Sequence, residues 1–332
     1  MKNNEIVVSV ICLAYNHEKY IEKALNGFIK QKTNFKFEVL VHDDASTDKT
    51  TEIIKQYEKK YPDIVKPIYQ KTNQFSIGNN PTKICFKKSK GKYIALCEGD
   101  DYWCDENKLQ KQYDFMEKNQ DFSACFHNTV KHDLLGIQKD SKFNNWNDIH
   151  IMDEKDVFFG WLVHTSSYFV RRECFYKPDQ FDKYWFGDYI LLTLYFFRGK
   201  LAVLPDVMSV YNFNNKNGLT YEVYNKEEIK PILDKTELRK QYLIDYNKYT
   251  NNQYEKTVNE RIKEIEMSLI IIQLDKGLPE KNDFYKLKTK LLNNSFYKNG
   301  IEIKEKIKFK LKYLNYSSYL LYKKIKKVKN NE

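Results

Sequence analysis

From Val7 to Trp103 the chain repeats one pattern: a short apolar run, a polar break, then apolar residues at helical spacing. Val7 to Leu13 is the first run, Ile21, Leu25, Phe28 and Ile29 then share a helix face, and Phe37 to Val41 is the second run. Such alternation builds βαβ units, and these stack into a mainly parallel sheet flanked by helices. Ser46, Thr47 and Asp48 offer capping oxygens to a helix from about Thr47 that buries Ile53, Ile54 and Tyr57 and is closed by Pro62. Ile64 to Tyr69 reads as a third strand, Pro81 opens a helix that Gly91 ends, and Tyr93 to Cys97 reads as a fourth strand. This last strand runs straight into Glu98, Gly99, Asp100 and Asp101, ahead of a helix bearing Leu109, Tyr113 and Met116.

The expected fold class is therefore α/β, a Rossmann-like domain with a mainly parallel central sheet. Beyond about Asn215 the texture changes to long charged segments poor in Gly and Pro, such as Val258, Ile262, Ile265, Leu269 and Ile272 before Gly277. We expect two parts, residues 1–215 and a helical C-terminal region over 216–332.

A chain of 332 residues with 42% hydrophobic and 15% aromatic side chains has the material for a sizeable core and is not a disordered polymer. Six cysteines without a CxxC pair sit in or beside apolar runs, as reduced packing residues do. Neither a leader-like apolar segment nor a membrane-length one is present, so the cytoplasm is the expected compartment. Of the formal charge of +11, the segment Ile301 to Glu332 supplies +7 through ten Lys and three Glu. Charge concentrated in a tail argues against a nucleic-acid surface and suits attachment to an anionic membrane face. Within it Ile303, Ile307, Leu311 and Leu314 can share a helix face suited to an interface, although the period-two alternation of Ile307, Phe309, Leu311 and Tyr313 also permits a strand. A solvated helix packed on its own domain is equally compatible.

In an open parallel sheet the ligand crevice lies beyond the carboxyl ends of the strands. Two acidic pairs meet that condition, Asp43 and Asp44 after the second strand and Asp100 and Asp101 after the fourth. Clustered carboxylates call for a cation or hydrogen-bond donors, and a divalent metal bridging a diphosphate would supply the former. The bland alternative is that loops after strands are often acidic and that Asp caps helices; Asp48 and Asp105 are read that way.

Three segments, VSVICLAYNHEKYIEKALNGFIKQ (Val8 to Gln31), FEVLVHDDASTDKT (Phe37 to Thr50) and GKYIALCEGDDYW (Gly91 to Trp103), resemble glycosyltransferase family two in kind, order and separation. The resemblance covers roughly residues 5 to 215 and implies a GT-A fold. It further implies inverting transfer of one sugar from a nucleotide-diphosphate sugar, UDP-linked before dTDP-linked, to a cell-surface glycan or lipid-linked saccharide. Carried over residue by residue, Tyr15 would stack near the base, Asp44 would accept from its imide nitrogen and Asp43 would support that loop. Glu98 to Asp101 falls on the Asp-x-Asp position, with Asp100 toward the ribose and Asp101 toward Mg²⁺ or Mn²⁺.

The catalytic base implied by the resemblance is an acid at a helix start in the second half of the domain. WFGDYILL (Trp185 to Leu192) fits, making Asp188 the candidate, with Asp179 and Asp182 behind it. The alternative reading of this residue is an ordinary first-turn acid stabilised by the helix dipole. His164, Thr165 and Ser166, in HTSSYFVRR, match a stretch that shapes the acceptor pocket, although an alternating edge strand would read the same way. Trp103 either stacks on a sugar or belongs to the core. Two departures stand out. YNFNNKNGLT (Tyr211 to Thr220) lacks the metal-binding histidine of many relatives, leaving Asn214 as a neutral substitute, and the Gln-x-x-Arg-Trp motif of processive synthases is absent.

Overall fold

The structure, a computed structural model, describes residues 5–184, 186–213, 229–276, 279–294, 306 and 312. It divides into two units, Met1–Gly218 and Leu219–Glu332. In the first, strands β1 (Ile6–Ala14), β2 (Lys36–Asp43), β3 (Val65–Tyr69) and β4 (Tyr93–Leu96) alternate with helices α1 (Ile21–Ile29), α2 (Thr50–Lys60) and α3 (Pro81–Lys88). There follow β5 (Tyr102–Trp103), α4 (Lys108–Lys118), β6 (Phe122–Asp133), β7 (Ser141–Lys142), β8 (His150–Ile151), α5 (Glu154–Phe159), β9 (Phe169–Arg171), α6 (Gly187–Arg198) and β10 (Lys200–Phe213).

One ten-stranded sheet runs β3-β2-β1-β4-β9-β6-β10-β5, with β7 on β6 and β8 on β10. β3, β2, β1 and β4 are parallel, as are β6 and β10, while β9 is inserted antiparallel between β4 and β6. Both faces are apolar, as a sheet covered on two sides requires. Val8, Val10 and Cys12 of β1 pack with Leu25 and Phe28 of α1 and Ile54 of α2, whereas the alternate residue Ile11 joins Cys85 of α3, Val157 of α5 and Leu192 of α6. This is the Rossmann-like arrangement expected from the alternating pattern, of the GT-A type that the family resemblance implies.

Some local readings change. The helix expected from Thr47 starts at Thr50, because Ser46, Thr47 and Asp48 are engaged by the loop after β1. α3 ends at Lys88 with Ser89 as its cap, so Gly91 is not a helix terminator. It is required by a close approach: a Cβ there would lie 2.4 Å from the Ser9 backbone nitrogen. β9, which the sequence allows as an edge strand, is an interior one. Among the cysteines Cys104 is exposed and the other five are buried.

In the second unit α7 (Ile229–Tyr249), α8 (Glu255–Lys276) and α9 (Lys281–Asn293) follow one another. Asn251 and Asn252 take left-handed backbone between α7 and α8, a conformation Asn tolerates well. Met267 and Leu274 of α8 pack with Phe284 and Leu291 of α9. Asn214, residues 215–220, Trp185 and the basic tail other than residues 306 and 312 lie outside the described residues.

Candidate active site

The carboxyl end of β1 organises the site. Its last carbonyls are shared by two loops: Ala14 O accepts from Asp44 N at 2.9 Å and Leu13 O from Gly99 N at 2.8 Å. The acidic segment after β2 and the acidic turn after β4 therefore meet on one strand end. Residues 15–18 are laced to residues 46–50, with Asn16 N donating to Ser46 Oγ (3.0 Å), Thr47 N to Asn16 Oδ1 (2.8 Å) and His17 N to Thr50 Oγ1 (2.8 Å). Asn16 and Ala45 take positive φ at 55° and 62°, and for Ala45, next to Asp44, that is local strain.

Within this frame Asp43 accepts from Ser46 N and Thr51 Oγ1 and so holds its own loop. Asp44, buried, accepts from Gln74 N at 2.6 Å and Phe75 N at 3.0 Å, which draws the segment after β3 to the same edge. A carboxylate has about four lone-pair sites, so Asp44 keeps capacity for a further donor. Tyr15, the residue after Ala14 whose carbonyl accepts from Asp44 N, is 45% exposed, as a stacking surface must be.

The turn Glu98–Asp101 is electrostatically tense. Asp101 is 3% exposed, and burial, then Asp100, then Glu98 push its pKa well above the usual carboxylate range. Part of Glu98 is exposed, yet its Oε2 reaches neither solvent nor a hydrogen-bond partner among the described residues. Burial first, then Asp100 and the charge of Asp188, push Glu98 up to about 8. Asn212 N donates to Asp101 Oδ1 at 2.9 Å, and His17 Nε2 lies 4.0 Å from Asp100 Oδ2.

Asp188 is exposed in the first turn of α6, and its charge adds to the upward push on Glu98. Tyr168 Oη donates to the Asp188 carbonyl at 3.2 Å and fixes the helix start. Asp179 and Asp182 are instead paired with Lys83 and Lys177.

His164 is buried, with Nδ1 3.7 Å from Asp101 Oδ2. That nitrogen accepts from Ser166 N at 3.3 Å, which leaves the proton on Nε2, and burial lowers the pKa to about 3. The imidazole is thus neutral.

Residues 9–177 match the family model described as glycosyl transferase family 2. The chain belongs to that family. It is 34% identical over 218 residues to an uncharacterized protein, Rv1520, of Mycobacterium tuberculosis, a match covering 65% of this chain and 61% of that protein. It is also 31% identical over 140 residues to the putative teichuronic acid biosynthesis glycosyltransferase TuaG of Bacillus subtilis, covering 42% of this chain and 54% of TuaG. The chain thus spans less than two thirds of the length of these relatives. A crystal structure of Staphylococcus aureus TarS, residues 1–349 with UDP-GlcNAc, superposes with a TM-score of 0.53 at 19% identity, covering 90% of this chain and 77% of that one. At that identity the likeness is one of fold.

Two site readings are corrected. Trp103 is 3% exposed, edge-on to Phe28 at 4.7 Å, with Lys108 Nζ 3.7 Å above its ring and its N–H donating to Ser166 O; no face is left for a sugar. Ser166 is fully buried, its hydroxyl bonded to Ser209 Oγ at 2.8 Å and His164 Nδ1 at 2.9 Å, so it supports the pocket from below and does not line it. Thr165, partly exposed, remains at the surface of that turn.

A divalent cation fits this turn in part. Neighbouring carboxylates, a raised Asp101 and the orphaned Glu98 Oε2 all mark uncompensated negative charge. Among the described residues no group of three or more His, Cys, Asp or Glu is spaced to hold a metal, and His164 Nδ1 is already taken by Ser166. Asp101 would hold an ion that draws its other ligands from elsewhere.

Sequence reasoning missed Trp161, Phe75 and Lys108. Trp161 and Phe75 are exposed aromatics (52% and 57%); for Phe75 a large aromatic in a polar loop was the signal available, whereas Trp161 sits within the apolar run Val157 to Val163 and gave none. Lys108 reads in sequence as an ordinary surface lysine.

Proposed function

We propose that this chain is an inverting, non-processive glycosyltransferase that moves one sugar from a UDP-sugar to a hydroxyl of a cell-surface glycan or lipid-linked saccharide. The observation that carries this reading is the seating of Asp44 and Gly99 on adjacent carbonyls of β1. It brings the carboxylate proposed to read the base and the acidic turn proposed to face the diphosphate to one strand end, which supports the reading. The UDP-GlcNAc complex of TarS supports a uridine donor, and TuaG, named for teichuronic acid, supports a glycan acceptor.

In this reading Tyr15 stacks on the base, Asp44 accepts from its imide N–H, Asp43 holds the loop and Asp100 meets the ribose. Asp101 would bind Mg²⁺ or Mn²⁺, which supplies charge neutralisation to the departing diphosphate. His164, neutral and beside Asp101, adds no positive charge of its own to the pocket. Asp188 accepts the proton of the acceptor hydroxyl as that oxygen bonds to the anomeric carbon from the side opposite the diphosphate, which leaves with the bonding pair. With residues 1–215 as the catalytic part, the basic tail of the helical region 216–332 would serve attachment, at the inner face of the membrane.

The test separates binding from chemistry. Asp188→Asn is expected to bind the UDP-sugar with unchanged affinity and to lose transfer by about 10²-fold or more. Asp101→Asn is expected to lose transfer together with metal-dependent donor binding. Turnover retained in both variants would remove these assignments, and donor binding without transfer by the unmodified chain to any acceptor would make it a nucleotide-sugar-binding protein instead.

A further inference from the structure

Next to Asp101 and His164 lies an aromatic wall that the reading above does not use. Tyr211 stacks on His164 with ring centroids 4.1 Å apart. Trp161 stands edge-on to Tyr211 at 6.1 Å and to Phe143 at 5.0 Å, and it is 52% exposed. Leaving so large an apolar ring in water forgoes burial that the fold could have used. The placement is built in. Gly160 turns the chain out of α5, and a Cβ there would lie 2.7 Å from Asp156 O and 2.7 Å from a Leu162 side-chain carbon. Tyr189 Oη donates to Phe158 O at 3.2 Å, tying the end of α5, and with it the approach to Trp161, to the first turn of α6.

Beside this wall is a cation. Lys131 Nζ, on β6, sits 4.4 Å from the Phe213 ring centroid and 5.6 Å from that of Trp161. It has no carboxylate partner within ion-pair distance among the described residues, whereas its neighbour His132 is paired with Asp140. An aromatic face suits the C–H face of a sugar ring, and a cation without a counterion at its rim suits an anion.

We infer that Trp161 is the platform on which the acceptor sugar stacks, and that Lys131 selects acceptors carrying a carboxylate or a phosphate. The inference rests on the transferase reading, since it places the acceptor one ring outward from the donor crevice. Trp161 takes the place that Trp103 cannot fill.

Saturation-transfer NMR of the full chain with UDP would test it with three probes: methyl β-glucuronide, methyl β-glucopyranoside 6-phosphate and, as the neutral reference, methyl β-glucopyranoside. Both anionic probes are expected to bind about tenfold more tightly than the neutral one. Preference for only one of them would identify carboxylate or phosphate as the natural group. Trp161→Ala should lose all three and Trp161→Phe should recover most of that loss, which a merely structural role would not predict. Lys131→Gln should abolish the preference for charge while keeping the neutral probe. Equal binding of the three probes, binding of none, or Trp161→Ala binding them as before would each overturn the inference. Calorimetry with the UDP-sugar is run in parallel: a chain that binds the donor yet fails the probe test loses only this inference, and one that binds no nucleotide sugar loses the transferase reading.

Discussion

Lys108 shows how far a single residue can depart from its sequence appearance. Its ammonium group is fully buried over the Trp103 ring, without a hydrogen-bond partner among the described residues, and burial lowers its pKa to about 7. The thiols of Cys97 and Cys125 face it, and burial keeps both protonated, pushing Cys125 up to about 12. Since the folded pKa lies below the unfolded value, the unfolded chain binds more protons between about pH 7 and pH 10.5, and stability should rise with pH across that window. Below it the slope from this group vanishes. Lys108→Met, of similar volume, should be more stable than the parent at pH 7 by roughly 1–4 kcal/mol, with the gap closing toward pH 10. Calorimetric melting at several pH values reads this directly, and parallel Tm profiles for the two proteins would contradict it. The acidic pairs were legible because a strand's end is legible. Trp103 and Ser166 were misplaced because nothing in a sequence says which side of a loop faces the core.

At the scale of elements, what the period-two and 3.6-residue patterns mark, β1 to β4 and α1 to α4, was readable. The later part of the sheet was not: β5, β7, β8 and β9 have two or three residues each, too few to display a period. β9 is held by something no pattern reveals. Arg171 is buried and donates to Phe122 O (2.7 Å), Tyr93 Oη (2.9 Å), Met116 O (2.7 Å) and Asn119 O (3.1 Å), joining β9 to β4, to the start of β6 and to the end of α4. Arg171→Lys keeps the charge but cannot reach this spread of acceptors, and should cost about 2–4 kcal/mol in denaturant unfolding. A loss below 0.5 kcal/mol would show that the lysine finds equivalent partners. Gly99 makes the complementary case at the site. A Cβ there would meet Ile21 Cδ1 at 2.9 Å, His17 Nδ1 at 3.0 Å and Ala14 Cβ at 3.2 Å, pressing the acidic turn away from β1. Gly99→Ala should therefore weaken UDP-sugar binding by about tenfold or more, with melting displaced little. Unchanged affinity would mean that the turn relaxes without moving Asp100 and Asp101.

For the whole molecule the unequal distribution of charge is the strongest remaining constraint. Residues 301–332 hold +7 of the formal +11, leaving +4 for the other 300 residues, so the basic character belongs to one segment. No helix among the described residues is long and apolar enough to cross a membrane. A lysine near an anionic lipid surface contributes about 1 kcal/mol at moderate ionic strength, and the ten lysines of this segment are the basis for proposing reversible attachment through it. The full chain should sediment with vesicles containing phosphatidylglycerol, release as salt is raised, and ignore pure phosphatidylcholine vesicles. A variant ending at Gly300 should lose sedimentation while its calorimetric affinity for the UDP-sugar stays that of the full chain. If the shortened chain still sediments, the membrane-facing cation lies elsewhere. If the full chain sediments equally with both lipids, apolar insertion outweighs charge, and the lysine-rich segment is then a solvated surface whose charge serves solubility.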